Sequence, residues 1–118
     1  MSYNQGTGNL QRDKVSVAVT LGSSNGAAAV SFEGNKADIS VTLNGTLNDN
    51  TDAGPITITN SVIKATSVIE SCIQTNVQFS AFDVYDVQDG SCKLNIRNHV
   101  GAPVAGNPTG VFSLVIYN

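Results

Sequence analysis

Hydrophobic and polar residues alternate along several short segments of this chain, a pattern that predicts β-strands with one buried face. Segment 15–21 carries Val or Leu at every odd position, and the same alternation recurs at 39–43 and 92–96. Larger apolar side chains mark 79–87 and 111–117 as further strands. No segment keeps a helical period for three turns, so we predict an all-β fold.

The longest apolar stretch, 55–74, is the element around which we expect the fold to be organised. Ile56 and Ile58 alternate with threonines, as in a half-buried strand. From 62 to 73, one face is continuously apolar or small and the opposite face is mixed. The residues are β-branched rather than helix-forming, which favours a strand that is covered on both faces.

Turn signals separate the predicted strands. Glycine, serine and asparagine at 22–26 predict a hairpin between the first two strands. Asn44-Gly45 and Asp89-Gly90 are dipeptides of tight two-residue hairpins. Strands and turns recur about every 8 to 12 residues, which is typical of a sandwich or barrel. We therefore predict an antiparallel β-sandwich with jelly-roll-like connections.

The chain of 118 residues suits one domain, which we place at 14–118 behind an extended N-terminal arm, 1–13. The arm is polar and would fray alone, so we expect it to lie against its own domain or a neighbouring copy. The last strand is apolar at nearly every position, as in a buried strand or one that is paired with another subunit. The predicted assembly contacts are Tyr3, Leu10, Arg12, Val111, Phe112 and Tyr117.

Charged residues make up only 13% of the chain, about half the usual share. The Asn, Ser, Thr and Gly that replace them make a neutral surface with few of the charged side chains that keep a free monomer soluble. Two interpretations fit this composition, extensive burial in an assembly and an ordinary Ser/Thr-rich β-sandwich. The net charge of −3 provides no basic stripe for nucleic acid, and no apolar run is long enough to span a membrane.

Candidate catalytic chemistry depends on very few side chains. His99 is the one histidine of the sequence and lies in a predicted loop, so any Ser–His–Asp arrangement would need it. Asp83, Asp86 and Asp89 recur at every third position. In a strand the first and third of them share a face, which leaves a carboxylate pair for a metal as the alternative to a solvated face.

Two weaker signals precede the organising stretch. Asp49 and Asp52 resemble part of a calcium loop, but they lack its spacing and its glutamate. Asn44 begins a glycosylation acceptor pattern, which more simply marks a hairpin turn. We therefore predict no catalytic residue, no metal and no cofactor.

The two cysteines, Cys72 and Cys92, lie within predicted strands and are expected to be buried thiols. A disulfide between them would need neighbouring strands with Cα atoms within about 7 Å. The N-terminus lacks a basic region followed by an apolar core, so we expect synthesis in a cytoplasm without a secretory signal.

Three segments carry a family resemblance: TITNSVIKATSVIESCIQT, FDVYDVQDGSCKLNIRN and GVFSLVIYN. Together they resemble a β-sandwich module of bacteriophage and large-virus virion proteins. The shared features are a strand of alternating small and branched residues, a hairpin around Gly and a last apolar strand. The resemblance implies a virion structural protein, often a trimer, and it carries over no catalytic residue.

The expected function is that of a non-enzymatic capsid decoration (cement) protein, a homotrimer that binds the major capsid protein on the outer capsid surface and stabilises the shell. The alternative is the receptor-binding tip of a tail or head fibre, with loops 48–54 and 98–110 binding a host glycan. An enzyme is disfavoured by the missing carboxylate or metal site. A secreted lectin-like domain is disfavoured by the missing signal peptide.

Overall fold

The computed structural model of the protein describes residues 14–22, 27–73, 81–98 and 101–118. These residues form β-strands and no helix, so the prediction of an all-β fold is confirmed. The strands of the described residues are β1 (Lys14–Leu21), β2 (Ala28–Ser31), β3 (Lys36–Leu43), β4 (Asp52–Thr59), β5 (Val68–Ile73), β6 (Ala81–Gln88), β7 (Ser91–Arg97) and β8 (Thr109–Tyr117).

The described strands are divided between two sheets of four. Sheet 1 has the order β1-β3-β8-β5 and sheet 2 the order β2-β4-β7-β6. β1 pairs with β3 in parallel and β2 pairs with β4 in parallel, whereas the other neighbours are antiparallel. Both sheets are therefore mixed, and the prediction of purely antiparallel strands is wrong. The parallel pairs also depart from a jelly roll, whose strands are antiparallel.

The first four strands alternate between the two sheets, so each connection crosses from one sheet to the other. The predicted hairpin between the first two strands is wrong for this reason, and so is the hairpin at Asn44-Gly45. Gly45 does adopt a positive φ of 117°, but the amide of Asn44 donates to Leu21 of the neighbouring parallel strand, at 2.8 Å. The hairpin at Asp89-Gly90 is confirmed, because it joins the antiparallel neighbours β6 and β7.

A sequence repeat underlies the parallel pair of β1 and β3. β1 reads KVSVAVTL and β3 reads KADISVTL, and each residue of β1 lies beside the residue 22 positions later. Four of the eight neighbouring pairs are identical: Lys14 and Lys36, Val19 and Val41, Thr20 and Thr42, Leu21 and Leu43. The two strands are therefore successive turns of a parallel coil that passes through both sheets.

The organising stretch is two strands and not one. β4 ends at Thr59 in sheet 2, and β5 begins at Val68 in sheet 1. Between them the chain turns at Asn60, whose fully buried side chain accepts a hydrogen bond of 2.9 Å from the amide of Val62. Side chain to main chain hydrogen bonds of this kind compete with strand pairing and favour turns.

The buried apolar side chains of both sheets belong to one hydrophobic cluster. Burial alternates along β3, β7 and β8, so one face of each strand lies in this core and the other faces outward. The cluster contains Val19, Leu21, Phe32, Ala37, Ile39, Val41, Leu43, Leu47, Ala53, Ile56, Ile58, Ile63, Cys92, Leu94, Ile96, Phe112, Leu114 and Ile116. The proposed domain boundary after residue 13 lies outside the described residues and stays a prediction.

Candidate assembly surface

β8 lies between β3 and β5, and its residues alternate between the core and the outer face of sheet 1. Phe112 is 0% exposed and packs in the core, so its ring stabilises the fold and is not presented to another subunit. Val111 is half-buried and Tyr117 is 50% exposed, both on the outer side of the strand. Of the assembly contacts predicted on this strand, Val111 and Tyr117 are thus accessible and Phe112 is not.

The predicted contacts of the N-terminal arm, Tyr3, Leu10 and Arg12, lie outside the described residues. The outer face of sheet 1 also carries an apolar side chain that was not among the predicted contacts. Val68, at the start of β5, lies directly beside Tyr117 in the antiparallel register and is 62% exposed.

We call Val68, Val111, Val115 and Tyr117 the outer patch. Val115 belongs to it because it shares the strand parity of Val111 and Tyr117 on β8. Val68 and Tyr117 are among the most exposed large apolar side chains of the described residues. Val111 and Tyr117 were predicted as contacts from sequence, whereas Val68 and Val115 were not, because an apolar strand does not reveal which of its faces is outward.

Polar side chains border the outer patch on the β3 side. Asp38 of β3 accepts a 2.7 Å hydrogen bond from the hydroxyl of Ser113 on β8, and it pairs with the ammonium of Lys14 on β1 at 3.0 Å. Partial burial acts to raise the pKa of Asp38, but the hydrogen bonds from Ser113 and Lys14 outweigh it and leave the pKa below its ordinary value. This network links three neighbouring strands of sheet 1.

On the β5 side, Tyr117 forms a hydrogen bond with Glu70. The hydrogen bond and the negative charge of Glu70 raise the pKa of the Tyr117 hydroxyl. Tyr117 thus donates to Glu70, and it lies beside Val68 on the outer face. The outer patch is therefore interrupted by Ser113, and Val68 and Tyr117 are its pair of exposed apolar neighbours.

The loops that the alternative function needs lie together at one end of the fold. We call residues 44–51 and 101–107 the loop platform. The main chains of Leu47 and Val104 donate to each other at 2.8 and 2.9 Å, and the side chain of Asn107 accepts from the amide of Gly45 at 2.8 Å. Asn98, which is fully buried, donates to the carbonyls of Leu47 at 3.0 Å and Ala102 at 2.8 Å.

The candidate metal and catalytic residues do not form a site in the part of the chain that the structure describes. No group of three or more His, Cys, Asp or Glu side chains that could hold a metal ion occurs there. Asp49 instead accepts from the amide of Gly101 at 3.1 Å, and Asp52 pairs with Arg97 at 2.8 Å. His99 lies outside the described residues.

The aspartates of the β6 hairpin have separate structural roles. Asp86 lies in a β-bulge with a positive φ of 52°, where it pairs with Lys93 at 3.1 Å. A hydrogen bond from Gln88, and then that from Lys93, lowers the pKa of Asp86. Asp89 accepts from the amide of Ala65 at 2.9 Å and so holds the turn before β5. The side chain of Asp83 lies outside the described part.

Both cysteines are free, and only one is buried. Cys92 lies on β7 in the core, and burial raises the pKa of its thiol to about 11. Cys72 is exposed on β5, an edge strand of the other sheet, so the prediction that it is buried is wrong. Cys72 is thus exposed on sheet 1 whereas Cys92 is buried in the core, and no disulfide joins them.

No protein-family model, curated protein or solved structure matches the chain. In the described ranges, no helix is long and apolar enough to cross a bilayer.

Proposed function

We propose that this protein is a non-enzymatic structural component of a phage virion, a capsid decoration protein that binds the major capsid protein on the outer capsid surface. The observation that carries the proposal is the outer patch. Val68 and Tyr117 are exposed apolar neighbours, and exposed apolar side chains that lie together are a feature of interaction surfaces. The virion setting comes from the resemblance of the three C-terminal segments to virion modules.

The proposed architecture suits this role. We propose that the two sheets form the layers of a β-sandwich, in which sheet 1 presents a flat face to the shell. The low content of charged residues in the chain as a whole, 13%, supports a role in which part of the surface is buried in an assembly. In this proposal the protein is made in the host cytoplasm, forms a homotrimer and stabilises the shell by contacting neighbouring capsid subunits.

The experiment adds purified protein back to particles that lack it and measures bound copies and heat tolerance. We expect the wild-type protein to bind and to raise the temperature at which the particles lose DNA. The double variant Val68→Ser and Tyr117→Ser removes the exposed apolar neighbours of the outer patch and should abolish both effects. Tyr85→Ser is the matched control, because Tyr85 is 39% exposed on the other sheet.

Two results would contradict the proposal. One is full binding by the double variant of the outer patch while its thermal unfolding matches that of the wild type. The other is equal heat tolerance of particles with and without bound protein. Either result would leave the outer patch without a role in shell stabilisation.

A second candidate, the receptor-binding tip of a tail or head fibre, is favoured by the loop platform. Its loops are held together by main-chain and asparagine hydrogen bonds, and a fixed arrangement of loops suits recognition of a glycan. Mass spectrometry of purified particles separates the two functions. Hundreds of copies per particle support decoration of the shell, whereas a dozen or so copies, together with adsorption to host cells by the free protein, support a fibre tip.

A further inference from the structure

Among the strands that the structure describes, β1 is an edge of sheet 1, and it lacks the features that normally prevent edges from pairing. It runs for eight residues with a continuous register against β3. It contains no proline, and Lys14 at its start is its one charged residue. Long, flat and weakly charged edges present a row of main-chain donors and acceptors to any other strand.

The other edges of the described sheets are less open to pairing. β2 is only four residues long. β6 carries the bulge at Asp86, and β5 is shorter than β1 and includes Glu70. Short length, bulges and charges are the common protections of natural edge strands. Among the described edges, β1 is therefore the one that is best suited to accept another strand.

The core is also incompletely covered beside β1. Val15 and Val17 face inward but are only half-buried. Their register neighbours on β3, Ala37 and Ile39, are fully buried. A further strand beside β1 would bring apolar side chains next to these valines and complete their burial.

The chain itself indicates which strand suits β1. The neighbour that β1 already has, β3, repeats its sequence at four of eight positions. In an antiparallel pairing, residues that lie opposite each other share a face of the sheet, so the inward-facing Val15 and Val17 would lie beside inward-facing Val or Leu of the other β1. A second copy of the protein offers the same pattern at the same kind of edge.

We propose that β1 pairs with β1 of a second copy, antiparallel across a two-fold axis. An antiparallel arrangement places the two Lys14 side chains at opposite ends of the contact. Sheet 1 then continues through both copies as eight strands, and the contact closes on itself without forming fibres. This contact does not depend on the proposed virion function or on the outer patch.

The contact predicts an even number of copies in solution. The free protein should contain two copies, or six where the two-fold contact joins a pair of the proposed trimers. Light scattering during size-exclusion chromatography measures this number directly. A monomer or a lone trimer would overturn the proposal.

Ala18 offers a charge-swap test of the contact. It lies near the middle of β1 and is exposed on the outer face, so a longer side chain there is tolerated in a single copy. Ala18→Glu places two carboxylates near the two-fold axis, and Ala18→Lys places two ammonium groups there. Each variant alone should have half the molecular mass of the wild-type oligomer, and a mixture of the two variants should restore the full mass.

Ser40→Glu is the matched control. Ser40 is the register neighbour of Ala18 on β3, one strand further from the edge, and should keep the wild-type mass. Thermal unfolding of each variant shows that it is folded. The proposal fails if Ala18→Glu keeps the wild-type mass, or if the mixture of Glu and Lys variants does not reassociate. Binding of the dissociated Ala18 variants to particles tests the decoration function separately.

Discussion

The side-chain amide of Asn60 donates a 2.7 Å hydrogen bond to the carbonyl of Gly34, which lies 26 residues earlier in the chain. The same side chain accepts from Val62, so it ties the turn before β3 to the turn after β4. Asn60→Ala should lower the free energy of unfolding by about 1–3 kcal/mol, because it leaves these main-chain groups without their partner. Urea unfolding followed by fluorescence or circular dichroism measures the change.

Asn44→Ala is the control for this prediction, since Asn44 is exposed. Its effect should stay within about 0.5 kcal/mol. Equal destabilisation by the two variants would show that the turn at Asn60 does not depend on its side chain.

The two thiols should differ strongly in reactivity. Cys72 is exposed, whereas burial raises the pKa of Cys92 to about 11, so little thiolate forms there near neutral pH. The native protein should therefore react with one equivalent of a disulfide reagent at pH 8, and the unfolded protein with two. Cys72→Ser should remove the fast equivalent. Two fast equivalents in the native protein would contradict the burial of Cys92.

The network at Asp38 should make a small part of the stability dependent on pH. Its folded pKa lies below the ordinary value of 3.8, so its contribution is present above pH 4 and is lost as the pH falls through the folded pKa. Asp38→Asn should cost less than about 1 kcal/mol at pH 7, because Lys14 is partly exposed. The difference from the wild type should shrink towards acid pH and in high salt. A difference that is constant with pH would contradict this assignment.

Gly54 lies at a close approach between β4 and β7. Its φ is +127°, and an added Cβ would lie 2.9 Å from the side-chain oxygen of Asn95. Gly54→Ala should therefore destabilise the fold by about 1–3 kcal/mol, since both the backbone conformation and the contact become strained. Gly22→Ala is the control, because a Cβ there meets nothing within 4 Å. Thermal unfolding measures the stability of both variants. Equal destabilisation by Gly54→Ala and Gly22→Ala would contradict the close approach at Gly54.

Local patterns predicted the strands well where one face is buried. The alternating valines of β1 and the alternation in β7 match observed strands, and the Asp89-Gly90 hairpin is present as expected. Each of these features depends on residues within a few positions of one another. Their physical causes, side-chain period and turn conformation, are therefore visible in a single stretch of sequence.

Pairing between strands that are far apart in the sequence could not be predicted from such local patterns. Asn44-Gly45 does form a tight bend, but the chain that follows it crosses to the other sheet. The stretch through Asn60 was predicted to be one strand because β-branched residues continue on both sides of a turn that depends on a contact with Gly34. The repeat of β1 in β3 was the signal that would have predicted parallel neighbours. The outer patch was predicted only in part, because a short apolar strand does not reveal which of its two faces is covered.

The 22-residue offset between β1 and β3 also makes the fold extendable. Each turn of the coil supplies one strand to each sheet in the same direction, so a tandem duplication of residues 14–35 would add a strand beside β1 and another beside β2. The inserted β1 would meet the original one with all eight positions identical. A chain of this kind can therefore grow by whole turns while the arrangement of β3 to β8 is preserved.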